Sequence, residues 1–251
     1  IQAGKDPSAI IGGKLPFIGS NGRAGKSDIM ICEACEYVDT FLKLSPAISI
    51  ILNIDADHLE YFGSLENIIK SFHQFSNQTG KVLIVNGDDE NVKKAIKGIQ
   101  GVKIITFGMG ADNDYSAANI KEEPNVFEDF TLMKQGAPLT DIRLSVPGKH
   151  NIMNALAAAA TADYFGISGN DIAKGLHDFT GVHRRFERLG TFHDIVVADD
   201  FAHHPTELNA TLTAAMHMGF KNVWAIFQPH TYSRTFLLLN DFAEALSIPD
   251  H

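Results

Sequence analysis

The feature that most constrains this fold is an alternation of short apolar runs with amphipathic segments over residues 47–108. The runs are AISIILNI (47–54), KVLIVNG (81–87) and VKIITFG (102–108). Each is apolar enough to be buried on both faces, as the strands of a parallel sheet are. The segment 64–78 carries apolar residues at helical spacing, and Ser64 precedes them as a predicted N-cap. This strand–helix–strand order predicts parallel crossovers, and hence an α/β fold.

Beyond this run the sequence predicts a small antiparallel sheet, then helices, then a second α/β unit. The predicted segments are antiparallel strands at 114–123, 126–135 and 139–148, helices at 150–166 and 168–179, a charged link at 181–190, strands at 193–201 and 221–228, and helices at 205–219 and 233–246. We therefore expect a mostly parallel domain at 1–184 with a small antiparallel sheet, followed by part of a Rossmann-like α/β domain at 185–251.

Composition excludes several classes of function. The net charge of −9 argues against a nucleic-acid partner, because phosphate backbones are bound by clustered Lys and Arg. There is no apolar run of membrane-spanning length and no signal-peptide pattern, so we expect a cytoplasmic protein without a membrane partner. The only cysteines are Cys32 and Cys35, and without a second ligand pair they are expected to be reduced thiols and not a zinc site.

The stretch GSNGRAGKS (19–27) invites comparison with a nucleotide-binding phosphate loop. That loop needs the pattern G-x-x-x-x-G-K-[ST] followed by a helix, because its backbone N–H groups and the helix N-terminus surround the phosphates. Here Ser20 stands where the first glycine is required, and the apolar run DIMICEA that follows predicts a strand. The stretch is therefore interpreted as a turn between strands.

Polar side chains follow the predicted strands at the ends where α/β sheets carry their sites. They are Glu33, the loop NIDADH (53–58), the loop DDFAHHP (199–205) and the segment QPHTYSR (228–234). Taken together, carboxylates and imidazoles after four strands suit a Mg²⁺ site or acid–base chemistry. Each one alone could equally cap a turn or bind solvent.

Two further segments leave alternatives open. The predicted helix near residue 150 begins with three polar residues, His150, Asn151 and Asn154. They could contact an adenine edge or merely cap the helix. The pair in RRF (184–186) could clamp a phosphate through a bidentate guanidinium, or could form ion pairs with Glu187 and Asp178.

Five segments together resemble the Mur ligase family. They are CEACEYVDTFLKLSPAISIILNIDADHLEYF (32–62), PGKHNIMNALAA (147–158), FTGVHRRFE (179–187), DDFAHHPTEL (199–208) and FQPHTYSRT (227–235). They occur in the family's order and span nearly the whole chain. The last two resemble the branch that joins L-alanine to UDP-N-acetylmuramate, together with the murein peptide ligases that recycle tripeptide.

The resemblance implies a bacterial ligase of peptidoglycan synthesis that uses ATP and Mg²⁺. ATP phosphorylates a substrate carboxylate, and the incoming amine then attacks the acyl phosphate to give an amide, ADP and phosphate. The implied residues are Glu33 and His58 for Mg²⁺; His150, Asn151 and Asn154 for the adenine side; Arg185 for the phosphates; Asp200 for the ribose; and His203 and Arg234 for catalysis beside the amino-acid substrate.

The sequence departs from the family pattern in several places. Cys35 replaces a frequent acid, Phe201 a frequent tyrosine and Thr231 a frequent arginine, although Glu33 is retained. The family's phosphate loop, G-T-[HN]-G-K-[ST], matches no segment of the chain. We therefore expect a fragment that covers most of the central ATPase domain and the start of the C-terminal domain, with no ligase activity on its own.

Three other functions stay open at this point. A murein peptide ligase would join a tripeptide in place of L-alanine. A non-catalytic nucleotide-binding or scaffold module would keep the fold without turnover. A metallohydrolase would use His203, His204 and His230 as zinc ligands.

Overall fold

The structure is a computed structural model that describes residues 1–121 and 128–251. Parts of the predicted strands at 114–123 and 126–135 fall on residues 122–127 and lie outside the described residues. The strands are β1 (Ser8–Leu15), β2 (Ser20–Arg23), β3 (Met30–Cys32), β4 (Ile48–Ile51), β5 (Val82–Asn86), β6 (Lys103–Gly108), β7 (Tyr115–Lys121), β8 (Asp129–Lys134), β9 (Ala137–Arg143), β10 (Glu187–Phe192) and β11 (Ile195–Asp199). The α-helices are α1 (Leu59–Phe62), α2 (Leu65–Asn77), α3 (Glu90–Ile96), α4 (Lys149–Tyr164), α5 (Gly169–His177), α6 (Pro205–His217), α7 (Tyr232–Leu237) and α8 (Leu239–Leu246), and 3₁₀ segments span Pro16–Ile18 and Tyr37–Lys43.

The largest sheet has six strands in the order β4-β5-β6-β7-β8-β9. The pairs from β4 to β7 are parallel, and β7, β8 and β9 form an antiparallel meander. This arrangement confirms the predicted α/β class, in which a mostly parallel sheet is extended by antiparallel strands. The parallel strands end at one edge of the sheet, and the loops that leave this edge carry several of the predicted site residues.

The core lies on both faces of the parallel strands. Leu83 and Val85 of β5 pack with α2 and α3, whereas Ile84 between them packs toward α4, and all three side chains are fully buried. Burying a side chain of this size stabilises the fold by about 1.5–3 kcal/mol. The run that forms β5 is therefore continuously apolar because helices cover this strand on both sides. Ser64 caps α2 as predicted, accepting a hydrogen bond from the Asn67 amide at 3.3 Å.

The stretch 19–27 lies in a small separate sheet with strand order β2-β1-β3. β3 follows it, so the predicted strand after this stretch is confirmed. The Lys26 amide donates to the Asp6 carboxylate at 2.9 Å, and the Gly25 amide donates to Ser8 Oγ at 3.0 Å. These amides bind the chain's own side chains, so the stretch has neither the helix nor the free N–H groups of a phosphate loop.

Three predictions for the C-terminal region are wrong in detail. β11 is confirmed, but the predicted strand at 221–228 forms no regular strand, and Ile226 is 99% exposed. Strands need a paired neighbour, and the backbone hydrogen bonds of this segment within the described residues are those between Val223, Ala225 and His251. The predicted helix at 233–246 is divided at Leu238, whose φ of −113° interrupts it between α7 and α8. The predicted link at 181–190 runs into β10 from Glu187 onward.

Within the described residues, no helix is long and apolar enough to cross a bilayer.

Candidate active site

The loop after β4 brings three potential metal ligands together. His58 lies at the end of this loop, where its left-handed backbone (φ 53°) begins α1. Its Nε2 atom lies 3.7 Å from Glu36 Oε1 and 3.7 Å from Asp57 Oδ2. One ligand atom from each of the three residues falls within 4.8 Å of the others. We call this group the Glu36–Asp57–His58 cluster.

The cluster includes one of the two metal ligands implied by resemblance and not the other. Glu33 lies at the end of β3, where its Oε2 accepts a hydrogen bond from the Gly12 amide at 2.6 Å. A Cβ atom on Gly12 would come within 2.7 Å of Glu33 Oε1, so glycine permits this close contact. Glu33 is therefore bound to β1 in this conformation, while His58 meets Glu36 and Asp57. Whether Glu33 ligates a metal stays a prediction.

Asp57 carries the clearest electrostatic perturbation in the cluster. Its burial raises the pKa of the carboxyl, but hydrogen bonds from the Arg234 guanidinium and the His58 amide outweigh that effect and hold the pKa below its ordinary value. Asp57 is therefore a carboxylate at neutral pH. The two carboxylates of the cluster suit Mg²⁺ or Mn²⁺, and the imidazole extends the set to other divalent metals. The side chains present thus fit a divalent cation.

The predicted adenine-side residues lie together at the start of α4. Asn151 Nδ2 donates to the Pro147 carbonyl at 2.7 Å, and Asn154 Nδ2 donates to Asn151 Oδ1 at 3.1 Å. The same Asn151 Nδ2 atom also lies 3.2 Å from His150 Nε2. The helix begins at Lys149, and Gly148 at the N-cap position offers no side-chain cap. The three side chains therefore form one polar chain, in which Asn151 ties the helix start to the preceding turn.

His150 is electrostatically linked to residues of the C-terminal part of the chain, residues 185–251, which we call the second region. Burial lowers the pKa of His150, the Asp200 carboxylate opposes this, and the Arg185 guanidinium adds to it. The net pKa lies below the ordinary value of 6.5, so the imidazole is neutral at pH 7. The structure thus brings together three of the residues predicted for ATP.

Arg185 and Asp200 both make protein contacts in this conformation. Arg185 pairs with Glu207 through a 3.0 Å contact, and its neighbour Arg184 lies 3.4 Å from Asp199. Among the described residues, neither guanidinium pairs with the predicted alternatives Glu187 and Asp178, although the Arg184 backbone amide donates to Glu187 Oε2 at 2.8 Å. The Asp200 carboxylate accepts hydrogen bonds from the backbone amides of residues 186 and 202, at 2.7 and 2.6 Å. Its implied role at the ribose stays a prediction.

Two hydrogen bonds join the loop after β4 to the second region. Arg234 of α7 donates to Asp57 Oδ1 at 2.8 Å, and the Arg234 side chain is only 11% exposed. Thr206 of α6 donates to Asp55 Oδ2 at 2.9 Å. The predicted catalytic Arg234 thus contacts the same cluster as the predicted metal ligand His58. The loop NIDADH indicated this site in the sequence and placed Asp57 beside His58, but the sequence alone did not indicate that Glu36 would join them or that Arg234 would contact Asp57.

The histidines of the second region do not form a metal site among the described residues. His203 Nδ1 lies 2.8 Å from the Phe201 carbonyl, and the ring centroids of His203 and His230 are 6.5 Å apart. His204 caps α6, where its ring accepts a hydrogen bond from the Thr206 amide. The described residues that could hold a metal are instead those of the Glu36–Asp57–His58 cluster. The three-histidine metallohydrolase hypothesis is therefore wrong for this conformation.

Glu207 connects two of the predicted site residues and was missed by sequence reasoning. Its Oε2 accepts hydrogen bonds from the amides of His203 and His204, at 2.9 and 3.3 Å, and its Oε1 binds Arg185. Burial raises the pKa of Glu207, but the His203 amide and the Arg185 guanidinium hold it below the ordinary value. The spacing of His204 and Glu207, which is that of a capping box, was the available signal.

Comparisons with known proteins point to one family over both parts of the chain. The Mur ligase middle domain matches residues 14–162, and the family described as Mur ligase, glutamate ligase domain matches residues 184–251. A UDP-N-acetylmuramate–L-alanine ligase of Caldanaerobacter subterraneus subsp. tengcongensis is 43% identical over 99% of this chain, and one of Clostridium acetobutylicum is 45% identical over 96%. The chain spans about half the length of these relatives, 54% and 53% respectively.

Solved structures show the same similarity. The UDP-N-acetylmuramate–alanine ligase of Thermotoga maritima superposes with a TM-score of 0.83 at 29% identity, covering all of this chain and 55% of that one. A murein peptide ligase of Psychrobacter arcticus superposes with a TM-score of 0.68 at 25% identity, covering 92% of this chain and 53% of that one.

Proposed function

This chain belongs to the Mur ligase family of ATP-dependent ligases of peptidoglycan synthesis, and we propose that it is the central part of an enzyme joining L-alanine to UDP-N-acetylmuramate. The 43% identity to such a ligase over nearly the whole chain favours this member of the family. Because the chain spans about half of that relative, the complete activity and both substrates are part of the proposal.

The observation that carries the proposal is the convergence of both family regions on one site. Arg234 of the second region contacts Asp57 beside His58, and Arg185 and Asp200 lie near His150 at the start of α4. A ligase that couples ATP to amide formation must hold the nucleotide and the amino acid next to one carboxylate, because proximity supplies much of the rate. We propose domains at 1–184 and 185–251, which meet at this site.

The proposed chemistry proceeds in two balanced steps. The carboxylate of UDP-N-acetylmuramate attacks the γ-phosphorus of ATP, so that an acyl phosphate forms and ADP leaves. The amine of L-alanine then attacks the acyl carbon and loses a proton, and phosphate leaves from the tetrahedral intermediate. A divalent cation held by His58 with the neighbouring carboxylates would neutralise charge on the transferring phosphoryl group.

The chain's own residues would hold and orient the reactants. Arg185 would exchange its contact with Glu207 for the phosphates, since a guanidinium binds phosphate in a bidentate fashion. The neutral His150 would lie on the adenine side with Asn151 and Asn154. His203 would lie beside the amino acid, and Arg234 keeps N–H donors beyond the one that meets Asp57 for a substrate carboxylate.

Product analysis tests the proposal. The chain, expressed within its full reading frame, is incubated with ATP, Mg²⁺, UDP-N-acetylmuramate and L-alanine, and the amide product is measured by mass spectrometry with phosphate release. We expect amide product that depends on L-alanine. In the cell, we propose that the reaction takes place in the bacterial cytoplasm. A product formed only with the tripeptide L-alanyl-γ-D-glutamyl-meso-diaminopimelate would support a murein peptide ligase instead, a candidate favoured by the similarity to the Psychrobacter arcticus protein.

A variant of the cluster separates catalysis from a scaffold role. His58→Ala should abolish turnover, because it removes the imidazole of the cluster. His217→Ala, at the exposed end of α6, is the matched control and should retain activity. Full turnover by His58→Ala, or nucleotide binding without any amide product in the parent protein, would favour a non-catalytic module.

A further inference from the structure

Asp57 occupies a shared position between Arg234 and the imidazole of His58. One carboxylate oxygen, Oδ1, accepts hydrogen bonds from the Arg234 guanidinium at 2.8 Å and from the His58 amide at 2.7 Å. The other oxygen, Oδ2, lies 3.7 Å from His58 Nε2, on the side of the cluster. The two oxygens thus face different partners.

We propose that Arg234 is a positioning residue, which orients Asp57 as a ligand so that the divalent-cation site is complete only when α7 is docked. This inference rests on the proposed function, because it takes the Glu36–Asp57–His58 cluster as the cation site of that ligase. It adds Asp57 and Glu36 to the ligand set and gives Arg234 a role that precedes substrate binding.

The geometry indicates that Arg234 orients the Asp57 carboxylate and does not compete with the cation for it. If Arg234 occupied the oxygen that faces the cluster, it would exclude a cation from Asp57. Arg234 binds Oδ1 instead, and together with the His58 amide it restricts rotation of the carboxylate. Carboxylate ligands are generally held by such outer hydrogen bonds, and losing one typically lowers metal affinity about 10–100-fold. The low exposure of Arg234, 11%, indicates that its side chain is fixed by packing in this position.

The position of Arg234 depends on the second region of the chain. It lies in α7, which follows Thr231, and the Thr231 hydroxyl caps that helix. Asp57 lies 177 residues earlier, in the loop after β4. A displaced α7 would leave the Asp57 carboxylate without its guanidinium, so cation binding and docking of the second region are thermodynamically linked.

The direction in which Arg234→Ala changes cation affinity separates this proposal from simple charge repulsion. Removing a positive charge next to a cation site strengthens cation binding if Coulomb repulsion dominates. Arg234→Ala should instead weaken binding about 10-fold if the guanidinium orients Asp57. The measurement is Mn²⁺ titration of the 251-residue chain, followed by electron paramagnetic resonance of the free ion, which requires no turnover.

Three further variants make the test specific. Arg234→Lys retains a cationic donor and should recover part of the lost affinity. Arg143→Ala removes an equal charge from an exposed site on β9, where Arg143 pairs with Asp129, and should leave the affinity unchanged. In an Asp57→Asn background, Arg234→Ala should cause no further loss, because the carboxylate it orients is gone. Thermal melting shows that each variant is folded.

The proposal is overturned by unchanged or tighter Mn²⁺ binding in Arg234→Ala, by an equal loss in the Asp57→Asn background, or by the absence of Mn²⁺ binding to the parent chain. The proposed function fails on a different readout, namely the absence of amide product from the full reading frame. The two ideas can therefore fail separately.

Discussion

Replacing Glu207 should destabilise the second region through two separable contributions, a lost helix cap and a lost ion pair. Glu207→Ala removes the acceptor for the His203 and His204 amides at the start of α6, and also the ion pair with Arg185. The lost cap costs about 1 kcal/mol. The ion pair is half-exposed on the arginine side, so its loss adds only about 0.5 kcal/mol. Glu207→Gln keeps an oxygen for the amides and loses only the charge, so it should cost about 0.5 kcal/mol.

These costs correspond to measurable changes in melting temperature. A chain of this size loses about 2–4 °C per kcal/mol, so Glu207→Ala should melt about 3–6 °C lower and Glu207→Gln about 1–2 °C lower. Scanning calorimetry of the 251-residue chain measures both values. Glu244→Gln, on the exposed face of α8, controls for loss of an acid and should change the melting temperature little.

The pH dependence provides a second check on Glu207. Its folded pKa lies below the ordinary value of 4.5, so its charge contributes stability that is present above pH 4.5 and is lost as pH falls through the folded pKa. The difference between the parent chain and Glu207→Gln should therefore shrink below pH 4.5. Equal melting temperatures for the Ala and Gln variants would refute the capping argument, and a constant difference at acid pH would refute the charge argument.

Two other substitutions test local features. Gly148→Ala should lower the melting temperature and weaken adenine-nucleotide binding, because Gly148 has φ 99° and an added Cβ would lie 2.6 Å from His150 Cε1. Its control is Gly98→Ala, with φ 81° in open space, which tests backbone strain alone in the same melting and binding assays. Tyr115→Phe should cost about 1–2 kcal/mol in denaturant unfolding, because it removes the 2.5 Å hydrogen bond from the Tyr115 hydroxyl to Asp163. No loss in the Phe variant would contradict this estimate.

Local pattern was sufficient to predict the elements of the sheet. The run that became β5 is apolar because helices cover both of its faces, and that requirement is visible without any knowledge of its neighbours, whereas Ile50 of the edge strand β4 is 43% exposed. The cap at Ser64 depends on a side chain three residues from its partner, Asn67. The segment 221–228 has equally strong strand character, but a strand is completed by pairing with another part of the chain, which residue pattern does not report.

The candidate site divides in the same way. Strand-end loops and the family resemblance pointed to His58, Arg185 and Arg234, because each of these residues belongs to a short motif that can be recognised locally. Their partners could not be identified in that way. Asp57 meets Arg234 across 177 residues, and only the packing of α7 against the loop after β4 decides which oxygen of the carboxylate faces the cluster.

The sequence by itself therefore determined the α/β class, the family and the chemical groups available to the site. Only the tertiary structure decided that Glu36 joins His58, that Glu33 binds the Gly12 amide, and that Glu207 holds Arg185. The physical reason is the sequence distance over which each interaction acts. Hydrophobic periodicity and helix caps act between residues a few positions apart, whereas a cation cluster or an ion pair requires distant segments to meet within a few ångströms.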